Sequence, residues 1–220
     1  MTRTITAIEP QRKNPRRLNI YLDGEFAFPL AQIMAVWLRV GQELSDEKIV
    51  SLRRDDEGET AYQKALHYLS FRPRSTAEVR QNLTKRGIPE ALVEATILRL
   101  DKAGILNDVA FGQAWVENRN EFRPRSRAFL RMELRRKGLD DEVIQSVLDE
   151  QVDEEDLARK AAGKYARRLE GLEWAEFRKK LSGFLARRGF SYATIAPVVS
   201  EIWQGMSQMA DMGTSFEDEE

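Results

Sequence analysis

The chain has no cysteine and one histidine, His67. Without thiols there is no disulfide and no cysteine nucleophile, which suits a reducing compartment. A single imidazole with no ligand spacing around it makes no metal site, so His67 reads as a surface or boundary residue. No apolar run reaches the roughly eighteen residues a membrane span needs, and the N-terminus lacks a signal-like apolar core. A cytoplasmic location is expected. Also missing are a phosphate loop, a dinucleotide fingerprint and a nucleophile elbow. The carboxylate pairs Asp55-Asp56 and Asp140-Asp141 stand at predicted joints and helix starts, where solvation and capping explain them. With no nucleophile set beside a base, neither an enzyme nor a cofactor or metal is expected.

Charge is present in quantity but balanced. There are 35 Lys/Arg against 36 Asp/Glu, a net −1, with 32% charged and 42% apolar residues. The balance hides alternation. Arg72 to Lys137 holds 15 bases and 8 acids, a local +7; Gly138 to Asp156 holds nine acids and no base. Leu157 to Phe190 has ten bases and three acids, again +7, and the chain closes on Glu217-Asp218-Glu219-Glu220. Basic faces separated by acidic joints suggest a charged partner.

The organising feature is a repeat. Phe-Arg-Pro-Arg-Ser stands at Phe71–Ser75 and, 51 residues on, at Phe122–Ser126. The same offset aligns Gly87, Gly138 and Gly189. It also aligns four apolar columns: Val79/Leu130/Leu181, Leu83/Leu134/Leu185, Val93/Ile144/Ile195 and Ile97/Leu148/Val199. A fixed period held by apolar residues and one glycine marks a tandem array. Each glycine follows a predicted helix end, where a left-handed residue is cheapest, and two bases precede it, suiting the negative end of the helix dipole. Pro89, Asp140-Asp141 and Ser191 then start the next helix. With opening helices over Thr60–Ser70, Val109–Arg119 and Glu155–Leu169, the unit is a three-helix module. The fold expected is mainly α: an elongated tandem array of three three-helix modules behind a small N-terminal β-hairpin or three-stranded sheet plus helices. The divisions are a head over 1–59, repeats over 60–106, 107–152 and 153–205, and an acidic, frayed tail over 206–220.

In the head, Thr4–Ile8 alternates as a strand, and Leu18–Leu22 and Glu25–Phe28 flank Asp23-Gly24, a strong hairpin signal. Arg12–Arg17 reads first as a solvated basic loop and second as a phosphate contact. Ala31–Leu38 is predicted as a short helix with Met34, Trp37 and Leu38 inward. A helix over Asp46–Arg54 capped by Ser45 follows, then a charged joint over Asp55–Glu59. Ile97, Leu100 and Ile105 close the first module.

In the repeated pentapeptide, Pro73 and Pro124 break the chain between helices, and Phe71 and Phe122 are expected to plug the module cores. The bases carry the functional expectation. Arg72, Arg74, Arg123, Arg125 and Arg127 cluster at equivalent corners. Arg80, Lys85, Arg86, Arg131, Arg135, Arg136 and Lys137 extend along the second helices, and Arg187 and Arg188 stand in the third repeat. A repeated basic ridge can meet acidic protein or phosphate backbone.

Leu66-His67-Tyr68-Leu69 with Arg72-Pro73-Arg74-Ser75 and Glu78, Leu106-Asn107-Asp108 with Phe111, and Glu133-Leu134-Arg135-Arg136-Lys137-Gly138-Leu139 together resemble the RecX family. The N-terminal Ile-Thr-x-Ile-Glu start and the Tyr-Leu-Asp-Gly-Glu-Phe hairpin are similar to the head of its longer members. The resemblance covers about residues 4–205. One departure is Phe122–Ser126, where many members carry a glycine and this chain repeats Arg-Pro-Arg-Ser. The resemblance implies a noncatalytic regulator of RecA recombinase in homologous recombination, DNA repair and the SOS response. Members of the family are curved arrays that lie in the groove of the RecA–DNA filament and suppress its ATPase, strand-exchange and coprotease activities. The implied partner is that filament, with a monomeric regulator; weak direct DNA binding can coexist with the role. The alternative is an autonomous DNA-binding protein of helix-turn-helix-like modules, against which the net charge of −1 weighs.

Overall fold

Three helix ends in this chain are built alike. In the computed structural model, which describes residues 1–214 and side chains to residue 208, Gly87, Gly138 and Gly189 have φ of 75°, 79° and 90°. At each, the glycine N–H donates to the carbonyl three residues back: to Thr84, Arg135 and Ala186, all at 2.9 Å. The next N–H donates five residues back, Ile88 to Leu83, Leu139 to Leu134 and Phe190 to Leu185, at 3.2–3.3 Å. This paired bonding satisfies helix-end carbonyls only when the intervening residue is left-handed, which is why glycine holds the position in every copy.

The helices ending there are α2 (Thr76–Lys85), α5 (Arg127–Arg136) and α8 (Trp174–Ala186). Their partners are α1 (Asp46–Leu69) and α3 (Glu90–Lys102), α4 (Asp108–Phe122) and α6 (Asp141–Gln151), and α7 (Glu154–Ala166) and α9 (Tyr192–Thr214). Ser75 and Ser126 are fully buried N-caps. The Ser75 hydroxyl accepts from the Glu78 N–H while the Glu78 carboxylate reaches back, a complete capping box. Ser126 accepts from the Phe129 N–H at 3.2 Å, and Ser191 from the Thr194 N–H at 3.3 Å. All four aligned apolar columns are buried in all three copies.

Residues Met1–Leu106 and Asn107–Glu220 separate as two units. The first has two cores. One lies under a four-stranded sheet: β1 (Thr2–Gln11), β2 (Asn14–Leu22), β3 (Glu25–Ala31) and β4 (Glu43–Ser45), in the order β3-β2-β1-β4. Ile5, Ile20, Leu30 and Leu44 fill it against Ile49 and Leu52 of α1. The other joins Ala65 of α1 to Val79, Leu83, Val93, Ile97 and Leu100. In the second unit, residues of α4 to α9 share one continuous core around Leu134, Leu148, Phe177 and Leu185. There the Ser126 N–H donates to the Arg188 carbonyl, and Gly189 lies so close to Ser126 that an added Cβ would stand 2.6 Å from its Oγ.

Several expectations are corrected. Phe71 and Phe122 do not plug cores: they are 69% and 68% exposed. The proline two residues on turns the chain away before the aromatic can reach inside. The residues after β3 form only a 3₁₀ turn over Gln32–Ala35, and Trp37 is 85% exposed. Arg12-Lys13 is a tight turn rather than part of a long loop, because Asn14 to Arg17 already belong to β2. The head sheet has a fourth strand. Ile105 is exposed, and Leu106 is buried in its place. The expected joint Asp55–Glu59 lies in the middle of the 24-residue helix α1. There Asp56 is buried, accepting from the Arg17 guanidinium and the Ala31 N–H, each at 2.6 Å, and Glu59 is buried against Arg99 at 2.7 Å. Of the expected frayed tail, residues 206–214 continue α9; 215–220 lie outside the described residues.

Candidate functional site

The ends of α2, α5 and α8 each present two bases ahead of the left-handed glycine. The first of the two is Lys85, Arg136 and Arg187, and all three are exposed. Among the described residues none of them has a carboxylate, acceptor or ring as partner. The second position differs by copy. Arg86 is exposed and, among the described residues, unpaired, whereas the Lys137 ammonium lies 4.7 Å over the Trp115 ring and the Arg188 guanidinium 4.4 Å over the Phe184 ring. Helix-dipole complementation accounts for a base at each of these ends. It does not require that the first be left without a local partner in all three copies.

The remaining expected bases divide by what holds them. Arg80 is bidentate to Glu94 at 2.8 and 2.9 Å, and Arg131, one period later, donates to Gln145. These two are struts between the second and third helices of a module. Arg135 is bidentate to Asp141 at 2.7 and 3.1 Å. That bond raises the Arg135 pKa above its ordinary value and lowers that of Asp141. Arg127 is half-buried and tied to the Leu148 carbonyl and Asp149, while its N–H donates to Glu154. Arg72 pairs with Glu78 at 3.2 Å. Arg74 and Arg125 lie over the Tyr68 and Phe129 rings at 4.2 and 4.6 Å. Arg123 is exposed and, among the described residues, unpartnered.

One further grouping forms within the second unit. The Arg188 guanidinium donates to the Pro124 carbonyl at 3.4 Å, so the second Phe-Arg-Pro-Arg-Ser copy packs against the third helix end. Burial holds Arg188 below the ordinary guanidinium range, with the nearby charges of Arg125 and Arg123 acting in the same direction. Beside it opens a cleft of about 680 Å³ between α4, α7 and α8. Tyr165 and Phe184 stack in it, ring centroids 4.3 Å apart, with exposed Phe122 at its lining. Lys160 and Lys164 of α7 and Arg168 of the 3₁₀ turn that follows it (Arg167–Leu169) line one side, and Glu117 and Glu121 the α4 side. These three bases were not among the expected site residues. Their spacing of four along one helix face was readable, but it fell in the copy lacking the pentapeptide. His67 is exposed, edge-on to Phe71 at 5.0 Å. Among the described residues no helix is long and apolar enough to cross a membrane, and no His/Cys/Asp/Glu group could hold a metal.

Comparison with known proteins adds a second line. Residues 3–45 match the model of the regulatory protein RecX N-terminal domain. Residues 61–100, 107–148 and 153–199 match the RecX first, second and third three-helix domains. Similar curated proteins include the regulatory protein RecX of Bacillus pumilus, 31% identical over 208 residues, covering 93% of this chain and 79% of that one. That of Bacillus subtilis is 33% identical, covering 90% and 76%. A crystal structure of regulatory protein RecX superposes with a TM-score of 0.70 at 28% identity, covering 87% of this chain and 96% of that one. The RecX structure from Lactobacillus salivarius gives 0.61 at 25%, covering 67% and 97%.

Proposed function

The chain belongs to the RecX family of regulatory proteins, and from that premise we propose that it binds the RecA–DNA filament and restrains RecA's ATP hydrolysis, strand exchange and coprotease activities. It does so without chemistry of its own. In this reading the working parts are a head over 1–59 and three repeats over 60–106, 107–152 and 153–205, each repeat offering the filament an exposed base at its second helix end that has no partner among the described residues. The observation that carries the reading is a base at the same place in every copy that has no partner among the described residues: Lys85, Arg136 and Arg187. Arg86, Arg123 and the aromatic cleft beside Arg188 add to it.

One exposed cation contributes little, since solvent and salt screen it over about 8–10 Å. Several on one chain act together, because after the first contact the rest form at high effective concentration. A periodic polymer supplies matching acidic positions at regular intervals. A ligand bridging neighbouring protomers then resists the rearrangement the active filament needs, or blocks addition at its end.

The test is DNA-stimulated ATP hydrolysis by RecA, titrated with this protein. Inhibition at substoichiometric amounts is expected, and no effect at micromolar protein would remove the reading. The geometry ranks the variants. Arg136→Glu is expected to weaken inhibition more than Arg135→Glu, because Arg135 is already held by Asp141.

A further inference from the structure

The first unit contains a second cleft, of about 690 Å³, lined by β2, the turn after β3, α1 and the residue after α2. Arg16, Lys64 and Arg86 line it, and among the described residues none of the three has an anionic partner. His67, one turn along α1 from Lys64, adds a ring N–H. The cleft also holds Arg17 and Glu59, but each is already engaged. Arg17 is tied to Asp56 at 2.6 Å and Thr60 at 2.9 Å, and Glu59 accepts from Arg99 at 2.7 Å and Gln63 at 2.9 Å. Three like charges therefore share a concavity with no free carboxylate to offset them. Low-dielectric walls focus such a field and favour an anionic occupant.

The lining says which kind. Among the described residues that line it, Ala31 and Ile33 are the apolar residue types; the others are bases, amides, a hydroxyl and the engaged carboxylate Glu59, including Asn14 and Gln32. A protein partner draws its affinity from aromatic or aliphatic anchors in desolvated pockets, and this cleft offers no aromatic wall. Phosphate backbone needs none: Arg and Lys with Asn, Gln and Thr side chains are its usual contacts. The Arg12-Lys13 turn, adjoining Asn14, extends the same charge along the strand pair. We propose that this cleft, between the head and the first three-helix module, holds the sugar-phosphate backbone of a nucleic-acid strand through Arg16, Lys64 and Arg86. The head then contributes a nucleic-acid contact of its own. This inference does not depend on the RecA reading.

The test is fluorescence anisotropy of a labelled oligothymidylate and of a duplex of equal length, with the full chain and no RecA, between about 50 and 200 mM salt. Wild type is expected to bind at the low end. Arg16→Gln/Lys64→Gln is expected to bind about tenfold more weakly, with the salt slope lowered by about two, one for each phosphate contact removed. Circular dichroism checks that the variant folds. Should the half-buried Lys64 position not tolerate change, Arg16→Gln alone must lower the slope by about one. No binding by wild type at about 50 mM salt, or an unchanged slope in a folded variant, overturns the inference. A pull-down of RecA without nucleic acid is expected to be the same for wild type and variant. If the variant loses RecA but keeps the oligonucleotide, the occupant is an acidic protein segment and the inference fails while the RecA reading stands.

Discussion

Replacing Gly189 by alanine should harm the protein far more than the same change at Gly87. Both glycines follow a helix with positive φ, 90° and 75°. A Cβ in that conformation costs about 1–2 kcal/mol. The stiffer unfolded chain returns about 0.4–1 kcal/mol of this. At Gly87 nothing lies within 4 Å of the added carbon, so the net cost is about 1 kcal/mol. At Gly189 the carbon would meet Ser126 Oγ at 2.6 Å and Phe129 Cβ at 3.4 Å. Ser126 is fully buried and caps α5, so it cannot swing into solvent. Forcing it aside adds about 1–3 kcal/mol of overpacking and about 1 kcal/mol of lost capping. The expected cost is therefore about 3–5 kcal/mol at Gly189. Urea unfolding followed by circular dichroism and tryptophan fluorescence measures both. Trp115, Trp174 and Trp203 all report on the second unit. In a Ser126→Ala background, which removes the clashing oxygen, Gly189→Ala should cost less than it does in wild type. Equal costs at the two glycines, or no coupling to Ser126, would refute the packing argument.

Asp56→Ala leaves the Ala31 N–H and the Arg17 guanidinium without their shared acceptor in a buried place. A loss of about 2–4 kcal/mol is expected by chemical denaturation, and a loss under about 0.5 kcal/mol would contradict the assignment. Phe71→Ala and Phe122→Ala should change stability by no more than about 0.5 kcal/mol, since both rings are exposed; a core-sized loss would restore the plug reading. The Asp141 carboxyl is held below its ordinary 3.8, first by the hydrogen bond from Arg135 and then by the charges of Arg135 and Arg131. A carboxyl depressed in the folded state stabilises the fold above its unfolded pKa. That contribution is lost as pH falls through the folded value, so it fades below about pH 4. An NMR titration should show the Asp141 midpoint rising in Arg135→Gln, and an unmoved midpoint would dissolve the pair.

What the sequence disclosed tracks how local the cause is. A left-handed residue after a helix demands glycine, and a helix start wants a hydroxyl, so Gly87, Gly138, Gly189, Ser75 and Ser126 were all readable. The apolar columns repeat because each module buries the same face. Asp56 and Glu59 were misread because their partners, Arg17 and Arg99, arrive from 39 and 40 residues away. Nothing nearby distinguishes a buried, paired acid from a solvated one. β4 has three residues, too few to show alternation. Phe71 and Phe122 recur as faithfully as core residues, yet a repeat fixes equivalence of position without saying whether that position faces in or out. The basic ridge was visible as composition. Its division into struts, ring-stacked bases and free cations depends on acceptors such as Glu94, Gln145 and Asp141 in the following helix.

The decisive measurement is the half-inhibitory concentration of this protein in the RecA ATPase reaction, for wild type and for the folded triple variant Lys85→Glu, Arg136→Glu, Arg187→Glu. Cooperating contacts predict a rise of at least about a hundredfold for the triple variant, well beyond any one substitution alone. Inhibition by the triple variant equal to that of wild type would contradict the account.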